Sequence, residues 1–313
     1  MRRSDERGIA LLLTLLILTL LVALILEFDA ESRREYRDAA AFRDNFKATV
    51  LARAAVQAAR GVLQQDSVKE KQTGQAFDAP TDLWAFPITN YALGDGLLNA
   101  QIEDELGKLN LNDLGIAGDL VAKAATVKKF KRLFDLMQIN PDLVDAIVDW
   151  VDDNEVQEPA GAESLYYQAQ RPSYKAANNK LQTLLELRLI KGITPEIIEK
   201  LSKVVTVFPN EGGKLVNINT AGPLVLQALD QRITQNMATE IIQARPFKTK
   251  VDLDRVSSFE EIGKQLRNQY DVKSDFFSAR MTVSVNEVTR NATVVLQRDS
   301  STGISTVQYY RVL

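Results

Sequence analysis

The 313-residue chain contains neither cysteine nor histidine. The lack of cysteine excludes disulfide bonds and thiol chemistry, and the lack of histidine excludes Ser-His-Asp catalysis, histidine-bound zinc and histidine proton relays. The sequence also lacks G-x-S-x-G, S-x-x-K and glycine-rich phosphate-binding motifs. Its formal net charge of −3 offers no broad basic surface for nucleic acid. These absences predict a protein that is not an enzyme.

Charge is also missing from one continuous stretch, the eighteen mostly aliphatic residues from Ile9 to Leu26. At about 1.5 Å rise per residue, a helix of this length crosses the hydrocarbon core of a bilayer. Arg2, Arg3 and Arg7 precede the stretch, which favours a cytoplasmic N-terminus. We therefore expect a single-pass inner-membrane protein whose bulk lies in the periplasm.

The apolar stretch does not end in the small-residue cleavage site of an ordinary secretory signal peptide. The small residue at a processing position is instead Gly8, directly before Ile9. This arrangement resembles the type IV pilin and pseudopilin signal, in which a prepilin peptidase cuts after glycine and methylates the new N-terminus. The resemblance implies that residues 1–8 are a leader and that Gly8 and Ile9 form the cleavage and methylation site. An uncleaved signal anchor is the alternative.

The fifth residue after this predicted cleavage point is Leu13. Most pilins carry glutamate there, which neutralises the terminal amine of a neighbouring subunit inside the membrane. Because a buried unpaired charge is costly, a subunit without this carboxylate is poorly suited to repeat along a fibre. Leu13 therefore favours a position at one end of a fibre.

Periodicity along the chain predicts an α+β protein with a long N-terminal helix and an antiparallel sheet. Helical spacing dominates the middle of the sequence, whereas period-two alternation marks the C-terminal segment and a short region near Gly94 to Gly96. A large all-α domain is therefore predicted to be inserted into the sheet. The predicted segments are 9–65 for the transmembrane and amphipathic helix, 66–108 for the first part of the αβ domain, 109–273 for the inserted domain, and 274–313 for the completing strands. Because residues 107–112 resemble residues 213–219, we expect two related helical modules in the insertion.

Acidic residues are concentrated after a predicted helix that ends near Val151. Six carboxylates and one asparagine lie between Asp149 and Glu163. Calcium binds six to eight oxygen ligands, often from such loops, and a cation would offset the repulsion between carboxylates and a helix C-terminus. A solvated acidic helix end is the alternative. The predicted ligands are Asp149, Asp152, Asn154 and Glu163, with Asp153 and Glu155 next.

Several motifs along nearly the whole chain resemble one protein family. They are the Gly8-Ile9 signal without an acidic fifth residue, Trp84 within Asp82–Ala85, the segment Ile102–Asn112, Asp149–Asp152 with Gly161–Glu163, and Val216–Ala221. In this order they are similar to the minor pseudopilin K family of type II protein secretion, also called general secretion pathway protein K.

The resemblance implies a pilin-like fold with a bulky helical insertion, and it supports calcium in the acidic loop. It also implies a complex with minor pseudopilins I and J at the tip of a periplasmic pseudopilus, where the complex initiates assembly for protein export. The implied partners further include the prepilin peptidase, and a secreted substrate or the outer-membrane secretin.

Residues 216–253 also resemble a helix-hairpin-helix DNA-binding module. In that family a glycine-rich hairpin offers backbone N–H groups to phosphate. The corresponding hairpin, Leu229–Thr234, has no glycine and carries Asp230, so we expect the scaffold without nucleic-acid binding. The basic run over residues 123–132 is interpreted as one solvated helix face. A DNA-binding protein and a signal-anchored periplasmic adaptor remain the alternative functions.

Overall fold

A computed structural model describes residues 3–116 and 120–313, with side chains from Gly8 onward. Most of the predicted leader therefore lies outside the described side chains. Helix α1 extends from Arg3 to Thr73, roughly 105 Å at 1.5 Å per residue. Its apolar part, Ile9–Leu26, contacts no other part of the protein and is the one stretch among the described residues long and apolar enough to cross a membrane.

The prediction that α1 ends near Gln65 is wrong, because the helix continues for two more turns. Those turns are polar and lack the apolar periodicity that predicts a helix. In the structure Asp66 and Ser67 are buried against the rest of the domain, so tertiary contacts extend the helix. Gly74, with φ of +68°, lies directly after the last helical residue, where glycine accepts the left-handed backbone of a helix end.

The described residues form nine strands, five of which make one antiparallel sheet in the order β1-β2-β7-β8-β9. The strands are β1 (Ile88–Leu93), β2 (Gly96–Asp104), β3 (Leu109–Asn110), β4 (Val205–Thr206), β5 (Val216–Asn217), β6 (Tyr270–Asp271), β7 (Phe276–Val285), β8 (Val288–Arg298) and β9 (Ser305–Val312). Helix α1 packs across one face of this sheet through Ala48, Ala52, Ala55 and Ala59, whose small side chains permit close approach. The predicted α+β fold is confirmed.

The helical insertion leaves the sheet at the end of β2 and returns at the start of β7. These strands are direct antiparallel neighbours, with Asp104 opposite Phe277, so the insertion enters and leaves at one point of the sheet. It is not purely helical, because β3 pairs with β4 and β5 pairs with β6, both in parallel. Its α-helices are α2 (Leu120–Leu136), α3 (Leu143–Val151), α4 (Ser164–Gln168), α5 (Pro195–Leu201), α6 (Pro223–Leu229), α7 (Gln235–Gln243) and α8 (Glu260–Leu266).

Two parts of the insertion share one local design, which begins with a short strand and an Asn-x-Asn turn. Asn110 accepts a hydrogen bond from the backbone of Asn112 at 3.0 Å, and Asn217 accepts one from the backbone of Asn219 at 2.9 Å. Asn110 lies in β3, which pairs in parallel with β4 at the end of the first part. Asn217 lies in β5, which pairs in the same way with β6 at the end of the second part. The two parts are therefore structural repeats, called here the first and second modules.

The equivalence continues through the second asparagine of each turn. Asn112 bonds the backbone N–H and C=O of Leu181, and Asn219 bonds those of Phe247. A capping box two residues later starts a 3₁₀ helix in both modules: Thr183 before Leu184–Leu189, and Thr249 before Lys250–Arg255. Between α3 and Leu181 the first module has residues 152–180, whereas the second has only residues 244–246 between α7 and Phe247. The acidic loop is thus an expansion of one repeat.

A buried arginine joins α1 to the sheet. Arg298, on β8, is 5% exposed and lies 3.0 Å from Asp66 Oδ2 and 2.6 Å from Asp78 Oδ1. Burial raises the pKa of Asp66, and raises that of Asp78 well above its ordinary value, although the guanidinium opposes both shifts. Arg298 is therefore the positive charge that offsets the burial of these two carboxylates.

A second buried carboxylate joins the sheet to the insertion. Asp104, at the end of β2, accepts hydrogen bonds from Ser274 Oγ at 2.6 Å, Thr220 Oγ1 at 2.5 Å and Asn217 Nδ2 at 2.9 Å. Ser274 also donates its backbone N–H to Asp78 at 2.7 Å. The contacts of Arg298 and Asp104 thus form one continuous network, called here the junction network.

We expect Arg298→Met to lower the free energy of unfolding by about 3–5 kcal/mol, because removing one partner leaves buried charges uncompensated. The loss should shrink as pH falls from 7 to 5, since protonation of carboxylates with raised pKa values removes the unpaired charge. Arg280→Met is the matched control: its ion pair with Glu103 is largely exposed, so it should cost at most about 1 kcal/mol. Denaturant unfolding of the full chain in detergent measures both. Equal losses would contradict a special role for Arg298.

Candidate functional site

Helix α3 positions the buried part of the acidic loop. Its residues from Val144 to Val151 are all buried, because the helix is surrounded by α2, the turn after β3 and the loop itself. Asp149 is fully buried, and its Oδ1 accepts the backbone N–H of Glu158 at 3.0 Å. The loop therefore folds back over the C-terminal end of α3.

Gly161 makes this return possible. A Cβ atom at this position would lie 1.9 Å from Asp149 Oδ2 and 2.6 Å from its Cγ. The backbone at Gly161 thus rests directly on the carboxylate, which a side chain would prevent.

Three of the predicted metal ligands, Asp149, Asp152 and Glu163, are buried in this loop. Both carboxylate oxygens of Glu163, and Oδ1 of Asp152, are buried without a hydrogen-bond partner among the described residues. Burial, and after it the neighbouring carboxylates of Asp149, Glu155 and Asp152, raise the pKa of Glu163 to about 7. These carboxylates therefore share one electrostatic site.

The other predicted ligands differ in their surroundings. Asn154 uses its Oδ1 to accept the backbone N–H of Val156 at 2.7 Å, which closes a local turn. Asp153 is exposed. Glu155 belongs to the site, since its carboxylate contributes to the raised pKa of Glu163. It also accepts a hydrogen bond from Ser164 Oγ at 2.9 Å.

Sequence reasoning missed Asn178. Its Nδ2 donates to the carbonyl of Asn154 at 3.0 Å and to Glu155 Oε1 at 3.1 Å, while its Oδ1 is buried without a partner among the described residues. Its positive φ of 41° is a conformation that asparagine tolerates better than most residues. Nothing in the local sequence of residues 176–179 links this asparagine to the acidic loop.

This donor set fits a hard divalent cation. The unpartnered oxygens come from carboxylates and an amide, the ligands that calcium prefers, and they are supplied by segments around a helix C-terminus. Two lysines lie nearby: Lys123 is 3.2 Å from Asp152 Oδ2 and 3.9 Å from Glu158, whereas Lys191 donates to the backbone carbonyls of Ala160 and Gly161. Of the two, only Lys123 therefore pairs with a carboxylate of the site. One lysine cannot satisfy this number of buried oxygens. The arrangement suits structural cation binding and contains no activated nucleophile.

A tighter carboxylate group lies elsewhere, in the junction network. Oxygens of Asp66, Asp78 and Asp82 lie within 4.8 Å of one another. Arg298 already pairs with two of these residues, so the protein itself supplies the positive charge.

The predicted processing site is fully accessible on α1. Nothing approaches Gly8 within 4 Å, and Ile9 and Leu13 are 62% and 54% exposed. Among the residues whose side chains the structure describes, no carboxylate lies within a turn of Leu13.

Comparisons with known proteins identify the family. Two models described as type II secretion system (T2SS), protein K match residues 107–210 and 216–273. The type II secretion system protein K of Klebsiella pneumoniae is 33% identical over 251 residues, covering 77% of this chain and 75% of that protein. This chain belongs to the type II secretion system protein K family. The resemblance read from the sequence motifs is confirmed.

Two other known proteins are similar to this one over most of its length. The type II secretion system protein K of Pseudomonas aeruginosa is 29% identical over 310 residues, or 95% of this chain and 90% of that protein. A chain in the crystal structure of the GspK-GspI-GspJ complex from enterotoxigenic Escherichia coli matches with a TM-score of 0.74 and 21% identity, covering 87% of this chain and 97% of that chain. The protein K fold is therefore shared at low sequence identity.

In this protein K family member the segment Leu229–Thr234, predicted to be the hairpin of a helix-hairpin-helix module, joins α6 to α7. Asp230 Oδ1 accepts the backbone N–H of Arg232 at 2.9 Å and also pairs with its guanidinium at 2.8 Å. An internal carboxylate thus uses an N–H of the hairpin that a phosphate would need. This geometry disfavours DNA as a ligand of the second module.

The interpretation of residues 123–132 as one solvated helix face is wrong. Lys131 pairs with Asp145 at 2.7 Å, and burial lowers the pKa of Lys129. Arg132 donates to the carbonyls of Gln227, Gln231 and Ile233 in the second module. These basic side chains therefore hold the first module to neighbouring elements.

We expect Gly161→Ala to lower the free energy of unfolding by about 1–3 kcal/mol, because the new methyl group overlaps the buried Asp149 carboxylate. Gly61→Ala is the matched control. It lies in the interior of α1 with nothing within 4 Å, so it should be neutral or stabilise by up to about 1 kcal/mol. Thermal and denaturant unfolding measure both variants. A neutral Gly161→Ala would show that the loop does not rest on Asp149.

Proposed function

We propose that this chain is a non-enzymatic minor pseudopilin, anchored in the inner membrane, that caps the tip of the periplasmic pseudopilus. The observation that carries the proposal is the joining of a fully exposed membrane-length helix to a pilin-like sheet with a bulky insertion. Membership of the protein K family supports it. The insertion enters and leaves at one point of the sheet, so it enlarges the subunit sideways and hinders stacking of identical copies.

The proposed partners are the minor pseudopilins I and J of the same system. The related structure is that of a GspK-GspI-GspJ complex, which supports this choice. Helix α1 also exposes Phe42, Phe46 and Val50 beyond the membrane segment, at 76%, 64% and 46%. Large apolar side chains in a row are costly in water and need a covering surface.

The tip complex would initiate assembly, and later subunits would join it from below. A tip subunit has no neighbour above it whose terminal amine needs neutralising, which agrees with Leu13 in the fifth position. From this position the insertion would face outward, toward a secreted substrate or the outer-membrane secretin. Nucleic acid is not among the proposed partners.

Processing by the prepilin peptidase gives the first test. We expect the chain purified from membranes of cells with this peptidase to begin at methylated Ile9, as measured by intact mass. Gly8→Val should retain the leader and abolish secretion, whereas Gly61→Ala should be processed normally, because it changes a glycine far from the cleavage site. A retained leader in the parent chain would instead indicate a signal-anchored periplasmic adaptor.

We further propose that the acidic loop binds one structural calcium ion through Asp149, Asp152, Glu163 and Glu155, with oxygens of Asn154 and Asn178 beside them. The unpartnered buried oxygens of Glu163, Asp152 and Asn178 support this site. A calcium ion would offset both the burial and the neighbouring carboxylates that raise the pKa of Glu163.

Calcium at a hundredfold excess over its dissociation constant should stabilise the chain by about 2.7 kcal/mol. Asp152→Asn and Glu163→Gln should lose most of this gain. Asp153→Asn is the matched control, since it removes the same charge from an adjacent exposed position. Melting curves in calcium and in chelator measure the effect. Curves of the parent chain that do not respond to calcium would reject the site.

A further inference from the structure

A lysine of helix α2 pairs with carboxylates of the acidic loop. Lys123 Nζ lies 3.2 Å from Asp152 Oδ2 and 3.9 Å from Glu158 Oε1. The side chain of Lys123 is 28% exposed and that of Asp152 is 8% exposed, so this pair is partly withdrawn from water. Bulk water and salt screen such a pair less than they screen a surface pair. Lys123 therefore supplies positive charge to the proposed calcium ligands from outside the loop.

Helix α2 does not depend on this pair for its own position. Its buried side chains lie in the second half of the helix, from Phe130 onward. In the same half, Lys131 pairs with α3 and Arg132 donates to carbonyls of the second module. Residues 120–125 are exposed, except that Lys123 is half-buried. The contact made by Lys123 is thus separate from the packing that anchors α2.

A second lysine near the loop makes a different kind of contact. Lys191 Nζ donates to the backbone carbonyls of Ala160 and Gly161 at 3.3 and 2.9 Å. It also lies 5.2 Å from the centre of the Tyr166 ring. These acceptors are neutral, so Lys191 fixes the path of the loop where it returns over Asp149 and does not pair with the carboxylates.

The carboxylate of Asp152 is where Lys123 and a bound cation would meet. Its Oδ2 accepts a hydrogen bond from Lys123, and its Oδ1 is buried without a hydrogen-bond partner among the described residues. A divalent cation held by this carboxylate would stand close to the lysine ammonium, and like charges at close range repel. Lys123 and the cation therefore compete for the same carboxylate.

We propose that Lys123 is a built-in competitor of calcium at the acidic loop and sets the affinity of the site. Its ammonium balances Asp152 and Glu158 when the loop holds no cation, and it moves away from them when a divalent cation binds. The first turns of α2 are then released from the loop, while Phe130 and the buried residues after it stay packed. The inference rests on the calcium site of the proposed function and adds what regulates its affinity.

Calorimetric titration of the full-length chain in detergent with calcium tests the competition directly. Lys123→Met should tighten calcium binding about tenfold at low salt, because a partly buried positive charge beside the ligands is removed. The gain should shrink at high salt, which screens that charge. Lys123→Arg keeps the charge and should bind calcium as the parent chain does. Lys128→Met is the matched control, at an exposed position on the same helix, and should also leave the affinity unchanged.

Thermal unfolding distinguishes this role from an ordinary structural contact. In chelator, Lys123→Met should lower the melting temperature by about 2–4 °C, because it leaves Asp152 and Glu158 without their counter-charge. In excess calcium this deficit should vanish, since the lysine is no longer paired there. By linkage, the vanished deficit and the tighter binding report the same free energy. Lys191→Met should instead lower the melting temperature equally in both conditions, because that lysine fixes the path of the loop in either case.

Failure of the inference and failure of the calcium site give different results. Equal calcium affinity in the parent chain and in Lys123→Met, or a melting deficit that calcium leaves unchanged, would overturn the inference and leave the site intact. A parent chain that does not bind calcium would reject the site as proposed. If Lys123→Met then bound calcium, the lysine would be the resident counter-ion that the inference requires. If that variant also failed to bind, the inference would fall together with the site.

Discussion

The junction network determines how the parts of this molecule are arranged. Arg298 holds the last turns of α1 and the segment after it to β8, and Asp104 holds the end of β2 to the second module. Both groups are almost fully buried, so neither can exchange its partners for water without a large cost. An insertion attached through two neighbouring strands would otherwise pivot about that attachment. The network therefore makes α1, the sheet and the second module one mechanical unit.

The repeated modules explain why the acidic loop lies where it does. Asn112 and Asn219 close equivalent turns in the two modules, and each binds both backbone groups of a residue that starts the next segment. The contacts with Asn112 thus determine the position of Leu181, and the length of the loop between α3 and Leu181 does not affect them. This allows residues 152–180 to be added in the first module without disturbing its frame. A binding loop can evolve at such a place because the scaffold does not depend on it.

Patterns within single elements made much of this fold predictable, whereas contacts between distant segments did not. The apolar run, the hairpin near Gly94 and the alternating C-terminal strands all appear in the structure, because local periodicity reflects which face is buried. The true end of α1 was missed since it depends on Asp66 meeting Arg298, far along the chain. Asn178 was missed for the same reason. Arg132 looked like a solvated cation because its acceptors are carbonyls of the other module, which leave no mark in sequence.

The buried carboxylates of the junction network and those of the acidic loop differ in how their charge is balanced. In the junction network one arginine suffices, because its planar fork can reach Asp66 and Asp78 from a single rigid strand. In the acidic loop the oxygens come from separate segments, namely α3, the loop that follows it and Asn178. A fixed fork of donors cannot satisfy such an arrangement, whereas a spherical cation with many flexible coordination positions can. The arrangement of each cluster therefore suits a different counter-charge: a side chain in the first case and, in our proposal, a metal ion in the second.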